Sequence, residues 1–193
     1  MKIKVSFFGI LMLLCLIVTH SYLSLAAIIA AFFHEIGHLA VARLCSVPVK
    51  EMKLDIFGAT IKLEKELCSY KKEAAIAIGG PMVNLLSFLM LFSIKAGWGG
   101  FMELFMAASL FLGILNLLPI ENFDGGRLVY CFLIDRVPFS TAYRIYKAFS
   151  LVCLMALWML SVYLILRVAA SLSMFVFSFS LLCRTFIKKE NEE

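Results

Sequence analysis

Long apolar runs, separated by short clusters of Lys, Arg, Asp and Glu, dominate the chain. A helix needs roughly 20 residues to cross a bilayer, and the runs predict six spans, at about 3–19, 22–44, 74–94, 101–118, 145–166 and 168–186, with a short helix at about 127–135. The first two runs together are too long for one crossing, so a turn is placed at His20-Ser21. Lys2, Lys4, the run from Val5 to Val18 and Ser24-Leu25-Ala26 imitate a secretory signal peptide. Cleavage there would strip the second span of its neighbour, so the first span is read as retained. Between Val49 and Glu66 the period changes to two: Met52, Leu54 and Ile56 alternate with Lys53 and Asp55, then Ile61 and Leu63 with Lys62 and Glu64. That alternation, around Phe57-Gly58-Ala59, predicts a β-hairpin with one apolar face.

Two of the spans are not plain anchors. The third carries Gly79-Gly80-Pro81 and Asn84. Pro81 removes a helix donor and Asn84 adds an amide, so polar groups are placed at membrane depth. The fourth ends in Asn116-Leu117-Leu118-Pro119, and Asp124-Gly125-Gly126 then permits a tight turn before a new helix near Arg127. A carboxylate is thereby set on a bent segment next to the membrane interior.

Composition agrees with the spans. Hydrophobic residues make up 63% of the 193, charged residues only 16%, and the mean hydropathy is +0.97, well beyond the usage of water-soluble domains. The expected fold is an all-α polytopic membrane protein of about six transmembrane helices, with a small membrane-associated β-hairpin between the second and third, forming one domain over residues 1–193. The net charge of +5 does not indicate nucleic acid, because sixteen of the eighteen Lys and Arg fall on one side of this layout, leaving Lys95 and Arg167 on the other. Such a bias orients both termini toward the cytoplasm. The six cysteines, at 15, 45, 68, 131, 153 and 183, show no C-x-x-C spacing and read as small packing residues.

Chemistry enters with His34-Glu35-Ile36-Gly37-His38, inside the second predicted span. Residues four apart share one face of a helix, so two imidazoles can hold one metal ion with Glu35 beside it. This is the pattern of metal-assisted hydrolysis: two neutral histidines ligate zinc, the metal acidifies a water, and the carboxylate takes its proton as the water attacks a carbonyl. Catalytic zinc takes three protein ligands. Asp124 is the candidate for the third, with Glu121 and His20 as competitors.

Three motifs in order, His34-Glu35-Ile36-Gly37-His38, Gly79-Gly80-Pro81 with Asn84, and Asn116-Leu117-Leu118-Pro119 followed by Asp124-Gly125-Gly126, resemble those of the site-2 protease family of intramembrane zinc metalloproteases, peptidase family M50. Within it the chain is most similar to the short bacterial branch of sporulation proteases. The likeness covers about 22–127 by motif and the rest by span count. It implies one Zn2+ ion bound by His34, His38 and Asp124, Glu35 as general base, and Asn84, Asn116, Gly80 and Pro81 near the substrate or the oxyanion. It further implies a multi-pass protein of a bacterial cell membrane that hydrolyses peptide bonds of membrane-inserted or membrane-associated proteins. The hairpin would pair with an unwound substrate segment by strand addition. Between Pro119 and Asp124 the chain reads Ile-Glu-Asn-Phe, where relatives usually carry a second proline and a leucine. With no PDZ-like insertion and no CBS module in view, control would fall to a regulatory membrane partner, to substrate supply or to prior cleavage.

Two other classes fit parts of the pattern. A zinc or other metal ion transporter also places His and carboxylate within spans, but conduction needs several weak sites in series and polar membrane groups here are few. A catalytically inactive relative that binds membrane proteins has no need to keep a base beside a metal.

Overall fold

The computed structural model describes residues 2–5, 21–55, 58–63, 69–94, 99–121, 123–168 and 175–182. They are mostly helical. In chain order the elements are β1 (Lys2–Val5), α1 (Tyr22–Leu44), β2 (Val49–Asp55), β3 (Gly58–Leu63), α2 (Tyr70–Ile94), α3 (Gly100–Leu117), α4 (Asp124–Ile134) and α5 (Phe139–Val168). A further helical stretch covers 175–182. Four helices, α1, α2, α3 and α5, are long and apolar enough to cross a membrane.

The expected six spans are thus four among the described residues. Lys2–Val5, expected to open the first span, is a strand. Its Lys-Ile-Lys-Val alternation suits a pleated segment, and it pairs in parallel with β2, Lys2 opposite Glu51 and Val5 opposite Leu54. The rest of that span, with His20, lies outside the described residues, as do 169–174 and 183–186 of the expected sixth. β2 pairs antiparallel with β3, Val49 opposite Leu63 and Asp55 opposite Gly58, giving the sheet order β1-β2-β3. The short helix expected from about 127 starts three residues earlier, so Asp124 stands in its first turn.

Local chemistry sets the ends of α1. Ser21 is extended and its hydroxyl oxygen accepts from the Leu23 N–H at 3.2 Å, capping the helix. At the other end Ser46 takes a left-handed φ of 54°, and the Val47 N–H returns to the Ala42 carbonyl at 2.9 Å just before Pro48. Pro138 similarly precedes α5, its carbonyl accepting from the Thr141 and Ala142 N–H groups, each at 2.9 Å.

The inward face of α1 is Ala26, Ala30, His34, Gly37, His38 and Ala42. Apart from the two imidazoles it is a stripe of small residues, and that permits close approach. A Cβ on Gly37 would collide with the Gly79 carbonyl oxygen, and one on Gly79 would lie 2.7 Å from the Gly37 oxygen. Helices α1 and α2 therefore cross backbone against backbone, the packing used where lipid removes any hydrophobic drive between helices. Phe105 of α3 packs on Ala26 and Ala30. Ile120 and Phe123, from the link between α3 and α4, pack on Leu154 and Leu157 of α5 and on Leu181.

The surface inverts that of a water-soluble protein. Leu44, Met90, Phe111, Val152, Met159 and Leu166 are exposed, while His34, His38, Asn84, Ser109 and Asp124 are buried. An apolar exterior around a polar interior is what lipid as solvent selects.

Candidate metal centre

Three elements meet at the polar interior. Helix α1 presents His34 and His38 one turn apart on its buried face. Helix α2 lies across them, and the first residue of α4 brings Asp124 from ninety positions further along the chain. His34 Nε2 is 3.1 Å from Asp124 Oδ2 and 3.1 Å from His38 Nε2, and His38 Nε2 is 3.2 Å from the same carboxylate oxygen. All three residues are buried. Among the described residues they form the group of His, Cys, Asp or Glu side chains close enough to share one ion.

The donor set fits a zinc ion. Bonds of 2.0–2.1 Å to nitrogen or oxygen in a tetrahedron place ligand atoms roughly 3.3 Å apart, and the three observed separations are 3.1, 3.1 and 3.2 Å. The second nitrogen of His38 supports this. Nδ1 lies 2.7 Å from the Ile76 carbonyl oxygen, which can only accept, so Nδ1 carries the proton and the Nε2 lone pair faces the centre. The Gly80 N–H approaches the same nitrogen at 3.3 Å, but the shorter contact decides the tautomer. Gly80 itself makes the space: a Cβ there would overlap His38 Nε2 and lie 2.8 Å from His34 Cε1.

Asp124 is oriented from both sides. Its Oδ2 faces the imidazoles, while Oδ1 is 3.9 Å from Arg127 Nη1, and Arg127 Nη2 donates to Glu73 Oε1 of α2 at 3.4 Å. Asp124 stands in the first turn of α4, and the helix N-terminus favours its ionised form.

The link that carries Asp124 is irregular backbone in an apolar setting, where each unpaired peptide group is costly. Most of its groups pair locally: the Ile120 N–H donates to the Leu118 carbonyl at 2.8 Å and the Phe123 N–H to the Ile120 carbonyl at 2.9 Å. Glu121 is served by α5. Its N–H donates to Ser150 Oγ at 2.8 Å, and its carbonyl accepts from the Tyr146 hydroxyl at 3.1 Å. Tyr146 and Ser150 are one turn apart and both buried. Sequence reading had no route to them, because the groups they serve are backbone.

The other sequence candidates fall into distinct places. Glu35 is half-buried on α1, next to His34. Asn84 is wholly buried, with Nδ2 3.3 Å from His34 Nδ1. Asn116 Nδ2 donates to the Leu112 carbonyl of its own helix at 3.0 Å. Pro81 is buried inside α2. The side chain of Glu121 is not part of the three-donor group.

The chain is 33% identical over 162 residues to stage IV sporulation protein FB of Bacillus subtilis, an alignment covering 81% of this chain and 56% of that protein. It is 26% identical over 123 residues to a zinc metalloprotease of Methanocaldococcus jannaschii, covering 61% of this chain and 36% of that one. The chain thus spans about half the length, or less, of the curated relatives it matches. A solved site-2 protease from Methanocaldococcus jannaschii superposes with a TM-score of 0.64 at 20% identity, over 93% of this chain and 86% of that structure, which establishes the shared fold. The sequence profile of peptidase family M50 matches residues 22–95 and 92–160, from α1 well into α5, and since both the two-histidine turn and Asp124 fall inside those stretches, the chain belongs to peptidase family M50.

Proposed function

We propose that this chain is the catalytic core of a zinc metalloprotease that cleaves peptide bonds of membrane-inserted or membrane-associated proteins. The observation that carries the reading is the meeting of His34 Nε2, His38 Nε2 and Asp124 Oδ2 within 3.2 Å of one another in a buried site among membrane-length helices. His34, His38 and Asp124 would hold the metal, which when bound supplies Lewis-acid polarisation of the scissile carbonyl and acidifies the attacking water. Glu35, next to His34 on the same helix, would serve as the base that accepts a proton from the attacking water and returns it to the leaving amine. Gly80 keeps both rings in place, and Arg127 holds the outer carboxylate oxygen of Asp124. The surrounding helices exclude bulk water, which strengthens each of these polar contacts.

The same reading carries a multi-pass chain of six spans in a bacterial cell membrane with both termini in the cytoplasm, and a sheet lying at the membrane. A strand edge of that sheet would receive an unwound substrate segment, since a helical substrate hides its peptide bonds. The test is Glu35→Gln. It removes the base and leaves the three ligands, so the variant should bind one zinc per chain like the parent and leave uncleaved a membrane protein that the parent cleaves. Comparing membrane fractions from cells carrying each form identifies that substrate. Undiminished cleavage by Glu35→Gln would remove the assignment of the base.

A further inference from the structure

We propose that Asn84 is a positioning residue that fixes the His34 ring with its proton on Nδ1, leaving Nε2 for the metal; this rests on the metal-site reading above. A neutral imidazole has one donor and one acceptor nitrogen, and the partner of one nitrogen settles the role of the other. His34 Nε2 points at the centre, 3.1 Å from both Asp124 Oδ2 and His38 Nε2. Its lone pair is available there only if Nδ1 holds the proton. His38 meets this condition through the Ile76 carbonyl, but among the described residues no backbone acceptor is found at His34 Nδ1. What faces that nitrogen is the Asn84 amide, at 3.3 Å.

The two ends of an amide side chain have nearly the same shape and exchange by a half-turn. In the orientation with Nδ2 toward His34, Asn84 Oδ1 is buried without a hydrogen-bond partner among the described residues, a costly arrangement in an apolar interior. The half-turn brings this oxygen to the ring, where it accepts from Nδ1–H. One rotation thus pairs the oxygen and selects the tautomer that a metal ligand needs, while the amide N–H groups turn to the place the oxygen left. Asn84 is wholly buried, and a Cβ built on Gly113 of α3 would lie 3.4 Å from its Cβ. The side chain therefore lies between His34 and α3.

The test uses the full chain in detergent, with zinc as the probe and two substitutions. Asn84→Leu removes the acceptor at similar shape, and should weaken zinc binding about 10- to 100-fold, the usual cost of losing such a partner. Asn84→Asp keeps an acceptor and loses the donor, and should bind zinc within a few-fold of the parent. Nitrogen-15 NMR of labelled histidine should show zinc-loaded His34 protonated on Nδ1 in the parent and in Asn84→Asp. If zinc affinity is unchanged in Asn84→Leu, or if Asn84→Asp falls as far as Asn84→Leu, Asn84 only fills space and the inference is overturned. If the parent itself binds no zinc while a His34→Ala control behaves identically, the metal-site reading fails and takes this inference with it.

Discussion

Replacing Gly80 by alanine adds one methyl group at the place where α2 meets both imidazoles. Built on this backbone, the methyl overlaps His38 Nε2, lies 2.7 Å from His38 Cε1 and 2.8 Å from His34 Cε1. Carbon contacts settle at about 3.5–4.0 Å, so one or both rings must retreat by about 1 Å. His38 has little freedom, because its Nδ1 is held to the Ile76 carbonyl at 2.7 Å. Backing α2 away would break its close backbone contact with α1 at Gly37 and Gly79. Metal sites tolerate ligand displacements of about 0.2 Å. Overpacking of this kind costs about 1–3 kcal/mol, and if it is drawn from metal binding it lowers zinc affinity about 5- to 150-fold. Global stability should change less, since alanine favours a helix over glycine by about 1 kcal/mol. A competition titration against a chromophoric zinc chelator, run on purified protein alongside circular dichroism and thermal unfolding, separates the two effects. Parental zinc affinity in Gly80→Ala would show that the rings are not confined by α2, and would refute the cradle.

Three further outcomes are expected. Ser150→Ala and Tyr146→Phe each deprive one backbone group of Glu121 of its partner, at about 1–3 kcal/mol, and should weaken zinc binding more than Ser161→Ala, which removes the 3.2 Å contact to Ser178 farther along α5; equal effects of all three would mean that these hydroxyls only hold the helix. Gly37→Leu should force α1 from α2, lowering stability by at least about 1–3 kcal/mol and abolishing zinc binding, whereas a variant with parental melting and zinc content would contradict the backbone contact. Treatment with a zinc chelator should stop cleavage by the parent and added zinc should restore it, while cleavage that persists at zero bound zinc would exclude the metal from the reaction.

Local pattern carried part of this protein unaided. The apolar runs at Tyr22–Leu44, Tyr70–Ile94 and Gly100–Leu117 are helices within a few residues of where hydropathy puts them, because helix formation in an apolar setting depends on neighbours in the chain. The sharing of one face by His34 and His38 is likewise a property of four-residue spacing. Asn84 stood out as an amide at membrane depth, but composition alone could not say whether it met a substrate or a ring. The strand at Lys2–Val5 was hidden because four alternating residues at the head of an apolar run look like the start of a span.

What only the tertiary structure decided is where the groups distant in sequence meet. Asp124 reaches His34 across ninety positions and Asn84 reaches it across fifty, and neither separation leaves any periodic trace. The Ile76 carbonyl that sets the His38 tautomer, and the Glu121 peptide group gripped by Tyr146 and Ser150, are backbone atoms that every residue possesses. Their roles follow from the crossing of α1 and α2 at two glycines and from the path of one bent link. Packing of whole helices fixes those, and spacing within any one of them does not.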